Sequence, residues 1–153
     1  MMDRRTDIAF FTLLATSYRH FWSEHLVPAD MSTHEGTRWL YESAPFLLLA
    51  HNAELDPVFI YGNKAAQRQF EYAWDELVQL PSRLSAAEPD RRERTTFIEQ
   101  VRKDGCAENY RGIRIAKSGK QFWIERARLW QLVDDNQRLH GLAAMIPITA
   151  EID

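Results

Sequence analysis

The side chains with chemistry to offer are His51, Tyr61, Asn63, Arg83, Tyr110, Arg114 and Trp130. Together they suit the holding of a small molecule. His51 has an unperturbed pKa of about 6.5 and could serve as a hydrogen-bond donor in a pocket or as a pH-sensitive switch. The plainer reading has it bonded to local backbone, holding the turn before Asp56-Pro57, because buried polar groups usually have a structural partner. Asn63 reads first as a helix N-cap, its oxygen accepting an orphan backbone N–H, and second as a ligand contact. The planar forks of Arg83 and Arg114 match a carboxylate, supplied either by a ligand or by a protein acid such as Glu125 or Glu88. An internal ion pair is the favoured reading, since charged side chains are seldom buried unpaired. Tyr61, Tyr110 and Trp130, with Phe59, Trp74 and Trp123, could wall a cavity, although aromatics dominate core packing in any small domain.

Other chemistries find no matching pattern. No nucleophile elbow, glycine-rich phosphate loop or Cys/His pair in a recognisable context occurs, so no enzymatic activity is expected. His20, His25, His34, His51 and His140 are scattered, without metal-ligand spacing. Haem would need an axial ligand, often a histidine on the long helix, and residues 89–103 contain none. Lone Cys106 fits a reducing compartment and reads as a small buried residue. The net charge of −3 argues against a dedicated nucleic-acid binder. Arg111, Arg114, Lys117, Lys120, Arg126 and Arg128 form a local positive cluster against Glu108 and Glu125, which reads as a solvated face.

With 153 residues, 45% hydrophobic and 27% charged, the chain has the size and composition of one globular domain. Its apolar runs fall short of the roughly 18 residues a membrane span requires. The charged start does not suit a signal peptide, and a cytoplasmic protein is expected.

Ile8, Phe11, Ala15, Tyr18, Trp22 and His25 recur at three- and four-residue intervals, so residues 6–26 read as an amphipathic helix ended by Pro28. Its aromatic stripe must pack on something, either its own domain or the same helix of a second subunit, and a homodimer is expected on that ground. Ser32 and Glu35 have capping-box spacing for a short helix that runs until Pro45. Two apolar runs, residues 46–50 and 58–61, flank Asp56-Pro57 as strands around a turn. Gly62 and Asn63 then open a helix over residues 64–70. A further helical turn follows at residues 74–77, and Ser85 with Glu88 offers a second capping box for a helix reaching Asp104-Gly105. From Cys106 the period becomes two, with Tyr110, Gly112 and Arg114 on one face. Turns at residues 117–120 and 134–137 divide the remainder into three strands, residues 106–116, 121–133 and 139–148, which form an antiparallel meander.

This order resembles that of a PAS domain, and the motifs resemble the MEKHLA domain, a PAS-like family. They are Ala50-His51-Asn52, Asp56-Pro57-Val58-Phe59-Ile60-Tyr61-Gly62-Asn63, Leu80-Pro81-Ser82-Arg83, and Tyr110-Arg111-Gly112-Ile113-Arg114. Trp74-Asp75-Glu76-Leu77 and His140-Gly141-Leu142-Ala143-Ala144 extend the likeness over nearly the whole chain; it departs at Leu142, where the family commonly has glutamine. The resemblance implies an α+β fold, a PAS-like five-stranded antiparallel sheet with helices on one face and the N-terminal amphipathic helix on the other. It also implies a sensory or regulatory role. In homeodomain leucine-zipper regulators a similar domain is fused at the C-terminus and is thought to modulate dimerisation; a stand-alone domain is expected here. Photosensory flavin domains of this class carry a reactive cysteine after the second strand, and residues 80–87 contain none, which disfavours flavin as well as haem.

These readings give an N-terminal helix over residues 1–30 and a sensory domain over 31–150. The expected ligand is small and mostly apolar. Gly112, Gly141, Ala143 and Ala144 leave room for it above the central strands. No nucleic acid, membrane or metal is expected as a partner.

Overall fold

The computed structural model describes residues 3–86 and 91–148. Helices α1 (Ile8–Trp22) and α2 (Thr33–Glu42) precede strands β1 (Phe46–Asn52) and β2 (Phe59–Gly62). Helices α3 (Lys64–Phe70) and α4 (Trp74–Leu77), a 3-10 turn (Ser82–Ser85) and helix α5 (Arg91–Asp104) follow. Strands β3 (Cys106–Ile115), β4 (Gln121–Val133) and β5 (Leu139–Pro147) complete the order. The strands make one antiparallel sheet in the order β2-β1-β5-β4-β3, so the last strand inserts beside the first.

Alternation along the strands sends side chains to two cores. Leu47, Leu49, Phe59, Leu142 and Ile146 join the core under α3 and α5. Leu48, Ala50, Tyr61, Trp130 and Leu132 join the core under α1 and α2. The expected placement of the N-terminal helix on the opposite face is therefore what the fold shows. Its stripe is used within the chain: Phe10 lies 5.5 Å from Tyr61 and Tyr18 lies 5.0 Å from Trp130, ring centre to ring centre.

Helix α1 stops at Ser23, ahead of Pro28. Ser23 takes a left-handed conformation (φ 54°) and its N–H donates to the Arg19 carbonyl, which turns the chain early enough for Leu26 to enter the core. Bulges shape the meander. Ala107 and Tyr110 lie three residues apart yet share a core, because Asn109 (φ 59°) sits in a register shift between them. Arg126 (φ 56°) does the same between Ile124 and Ala127.

Gly141 serves backbone approach rather than cavity space. A Cβ there would lie 1.9 Å from the His51 carbonyl oxygen, so its absence lets β5 close on β1.

Candidate functional site

The cavity lies between β1, β3, β4 and β5 on one side and α5 with the 3-10 turn on the other. Its volume is about 60 Å³, room for roughly four waters. Leu49, Ile98, Ile124, Leu129 and Leu142 supply an aliphatic wall, and Ala144 leaves part of the space open. Leu142 keeps that wall apolar where β5 crosses it.

The polar side is built by local pinning. Ser82 N–H donates to the Pro57 carbonyl at 2.8 Å and Phe59 N–H to the Leu80 carbonyl at 3.0 Å, tying the connecting segment to β2. Ser85 Oγ donates to the Ser82 carbonyl at 2.6 Å, closing the 3-10 turn. A bridge between Ala86 and Arg114 ties the end of that turn to β3. From α5, Arg94 donates to Ser82 Oγ.

Arg114 is only 7% exposed, the most buried cation described. Its guanidinium donates to Tyr110 Oη at 2.8 Å and to the Ile113 carbonyl at 3.2 Å, and it lies 5.1 Å from the Tyr110 ring centre. Phe97 backs that ring at 4.4 Å. The expected ion pair to Glu125 is not formed, because Glu125 faces Arg111 at 3.0 Å; Glu88 lies outside the described residues. Burial, reinforced by the Arg114 charge, brings the Arg94 pKa down to about 10, so it still carries its charge at neutral pH. Among the described residues, Arg94 and Arg114 have no ion-pair partner.

His51 also borders the cavity. Its ring lies 2.8 Å from the Asn52 carbonyl through Nδ1, and burial lowers its pKa to about 4. The ring is thus neutral at neutral pH, with Nδ1–H donating and Nε2 left as the acceptor. This is the local backbone bond anticipated for it, in a residue that also lines the pocket.

Of the sequence candidates, His51, Tyr110 and Arg114 come together. Tyr61 and Trp130 belong to the opposite core. Asn63 is wholly buried and fully occupied: Oδ1 accepts from Leu48 N–H at 3.0 Å and Ala66 N–H at 3.1 Å, while Nδ2 donates to the Leu40 and Phe46 carbonyls at 3.1 and 2.9 Å. Arg83 is half exposed and pairs with Asp56 at 3.0 Å, away from the cavity lining. Sequence reasoning missed Arg94, Ser82 and Ser85. A signal for Arg94 existed, since it lies four residues before Ile98 and seven before Val101, on the buried face of α5.

The positive cluster noted in the sequence is dispersed. Arg111 pairs with Glu125, Lys117 with Glu76, and Arg128 with Glu24, while Arg114 points inward. No described helix is long and apolar enough to cross a membrane.

The sheet order and the cavity above it define a PAS fold. A PAS domain of a protein from Colwellia psychrerythraea superposes with a TM-score of 0.61 at 15% identity, over 73% of this chain and 90% of that one. A light-oxygen-voltage domain described with a flavin analogue gives 0.58 at 12%, over 71% and 78%. An RNA-binding light-oxygen-voltage receptor gives 0.63 at 21%; the match spans 80% of this chain and 35% of the receptor. No curated protein matches the chain. The MEKHLA domain matches residues 8–149, α1 included, and the chain belongs to that family.

A flavin does not fit the cavity. Its tricyclic ring system is far larger than benzene, which itself occupies a cavity of about 150 Å³ in a well-studied case.

Proposed function

We propose that this chain is a cytoplasmic sensory domain whose signal is occupancy of the cavity by a small ligand. The observation that carries the reading is a partly apolar void into which buried, charged and hydroxyl side chains converge, a combination typical of ligand sites and uncommon in a plain core. Arg114, Tyr110 and Arg94 orient the ligand; the wall formed by Leu49, Ile124 and Leu142 excludes water. Occupancy would be read out through α5 and the 3-10 turn, which supply the lid.

The test is release of a bound compound. Gently purified protein is denatured, and small molecules released are quantified by mass spectrometry beside those from an Ala144→Leu variant, whose added carbons fill the void. A compound present in stoichiometric amount only with the parent protein supports the reading; equal, substoichiometric release from both overturns it.

Dimerisation through α1 is the second reading, retained because the helix presents exposed residues beside its buried stripe. Packing of that stripe within the chain changes its test. Phe11→Asp would unfold the domain rather than free a soluble monomer, so light scattering on the intact protein is the appropriate measurement.

A further inference from the structure

Two cations face one small void, and among the described residues no acid lies between them. Among the described residues Arg114 bonds to neutral groups, a phenol and a peptide carbonyl. Arg94 touches the Ser82 hydroxyl. The nearby described acids are committed elsewhere, Asp56 to Arg83 and Glu125 to Arg111. Enclosed like charges without a counter-ion are unfavourable, and an anion between them removes that penalty.

We infer that the ligand is a small monocarboxylate, its head held by Arg94 and Arg114 and its alkyl end laid against the aliphatic wall of the sheet. This rests on the reading of the cavity as a ligand site. The choice of anion follows from shape. A guanidinium fork meets the two oxygens of a carboxylate in one plane. A tetrahedral dianion would leave further oxygens facing Leu49, Ile124, Leu129 and Leu142, which offer no donor. Neutral His51 adds no positive charge. A void of about 60 Å³, room for roughly four waters, limits the ligand to about four non-hydrogen atoms, the size of acetate.

Calorimetric titration of the intact protein with sodium acetate, and with uncharged acetamide of nearly the same shape, tests the charge requirement without altering the fold. Acetate is expected to bind at least about tenfold more tightly than acetamide, the difference a charge-assisted hydrogen bond supplies. Half-buried Arg94 gives the companion variant: Arg94→Gln should lose that preference and keep its weak affinity for acetamide. Equal affinity for the two probes overturns the carboxylate assignment and leaves the cavity a ligand site. Tighter binding of phosphate or sulfate than of acetate overturns it in favour of an oxyanion. Binding of neither probe also overturns it, and the released-compound measurement then decides the cavity separately. If only a Glu88→Gln variant binds acetate, the two arginines serve an internal carboxylate and the inference fails.

Discussion

Under α1 and α2 the sheet meets rings packed against rings; under α5 it meets aliphatic side chains, two guanidiniums and a void. On the first face Trp130 is fully buried between Tyr18 and Trp22, with centroids at 5.0 and 5.8 Å and near-perpendicular planes for Trp22. On the second, the small side chain of Ala144 and the short Ser82 and Ser85 leave volume unfilled. Both faces belong to the same strands, one residue out of phase. The difference separates stability from recognition: a filled face resists change in either direction of size, whereas an incompletely filled face tolerates small additions and loses binding first.

Removing the centre of the filled face should have the largest effect. Trp130→Ala is expected to cost about 3–5 kcal/mol, read from the urea midpoint. A loss below about 1 kcal/mol would mean that this face is no better packed than the other. Asn63 joins the two halves, tying α2, β1 and α3 through one carboxamide. Asn63→Ala removes a cap and strands buried donors and acceptors, for an expected loss of about 3 kcal/mol. Differential scanning calorimetry checks it, and a change confined to ligand affinity would contradict the structural role.

The cavity face should carry a pH signature that the other lacks. His51 has a folded pKa of about 4, below the ordinary value of about 6.5. Between these values the unfolded state binds more protons, so stability rises with pH across the window and is lost as pH falls from about 6.5 towards 4. The loss is up to about 3 kcal/mol, less to the extent that the ring keeps some solvent contact. Chemical denaturation at several pH values should show this slope, and His51→Gln should flatten its upper part, above the range where carboxylates begin to protonate.

The mildest pair sharpens the comparison most directly. Ala143 and Ala144 are neighbours on β5 and both border the cavity, but Ala143 packs beside Trp130 in the filled core and Ala144 against the core of the cavity face. Ala143→Val should cost about 1–3 kcal/mol by overpacking, while Ala144→Val should cost less than about 1 kcal/mol and weaken ligand binding. Equal costs in parallel urea titrations would erase the distinction between the faces.

Much of the fold was legible because its signals are local. The aromatic spacing of α1, the Asn63 cap, the change to period two at Cys106 and the turn at Gly119 all act within a few residues, and the strands appeared close to their observed limits. The family motifs spanned the chain for the same reason, and Tyr110 and Arg114 could be placed on one strand face from alternation alone. What the sequence could not decide was which candidates meet. Tyr61 and Trp130 differ from Phe59 and Leu129 by strand phase and bulges, and those set which core each enters. Arg83 turns to Asp56 in solvent, whereas Arg94 turns inward to Ser82. Assembly of the site depends on α5 and the 3-10 turn folding over β1, β4 and β5, strands remote from them in sequence. Side-chain chemistry and period are written residue by residue, but the enclosure that leaves Arg94 and Arg114 facing one void arises only when those segments pack together.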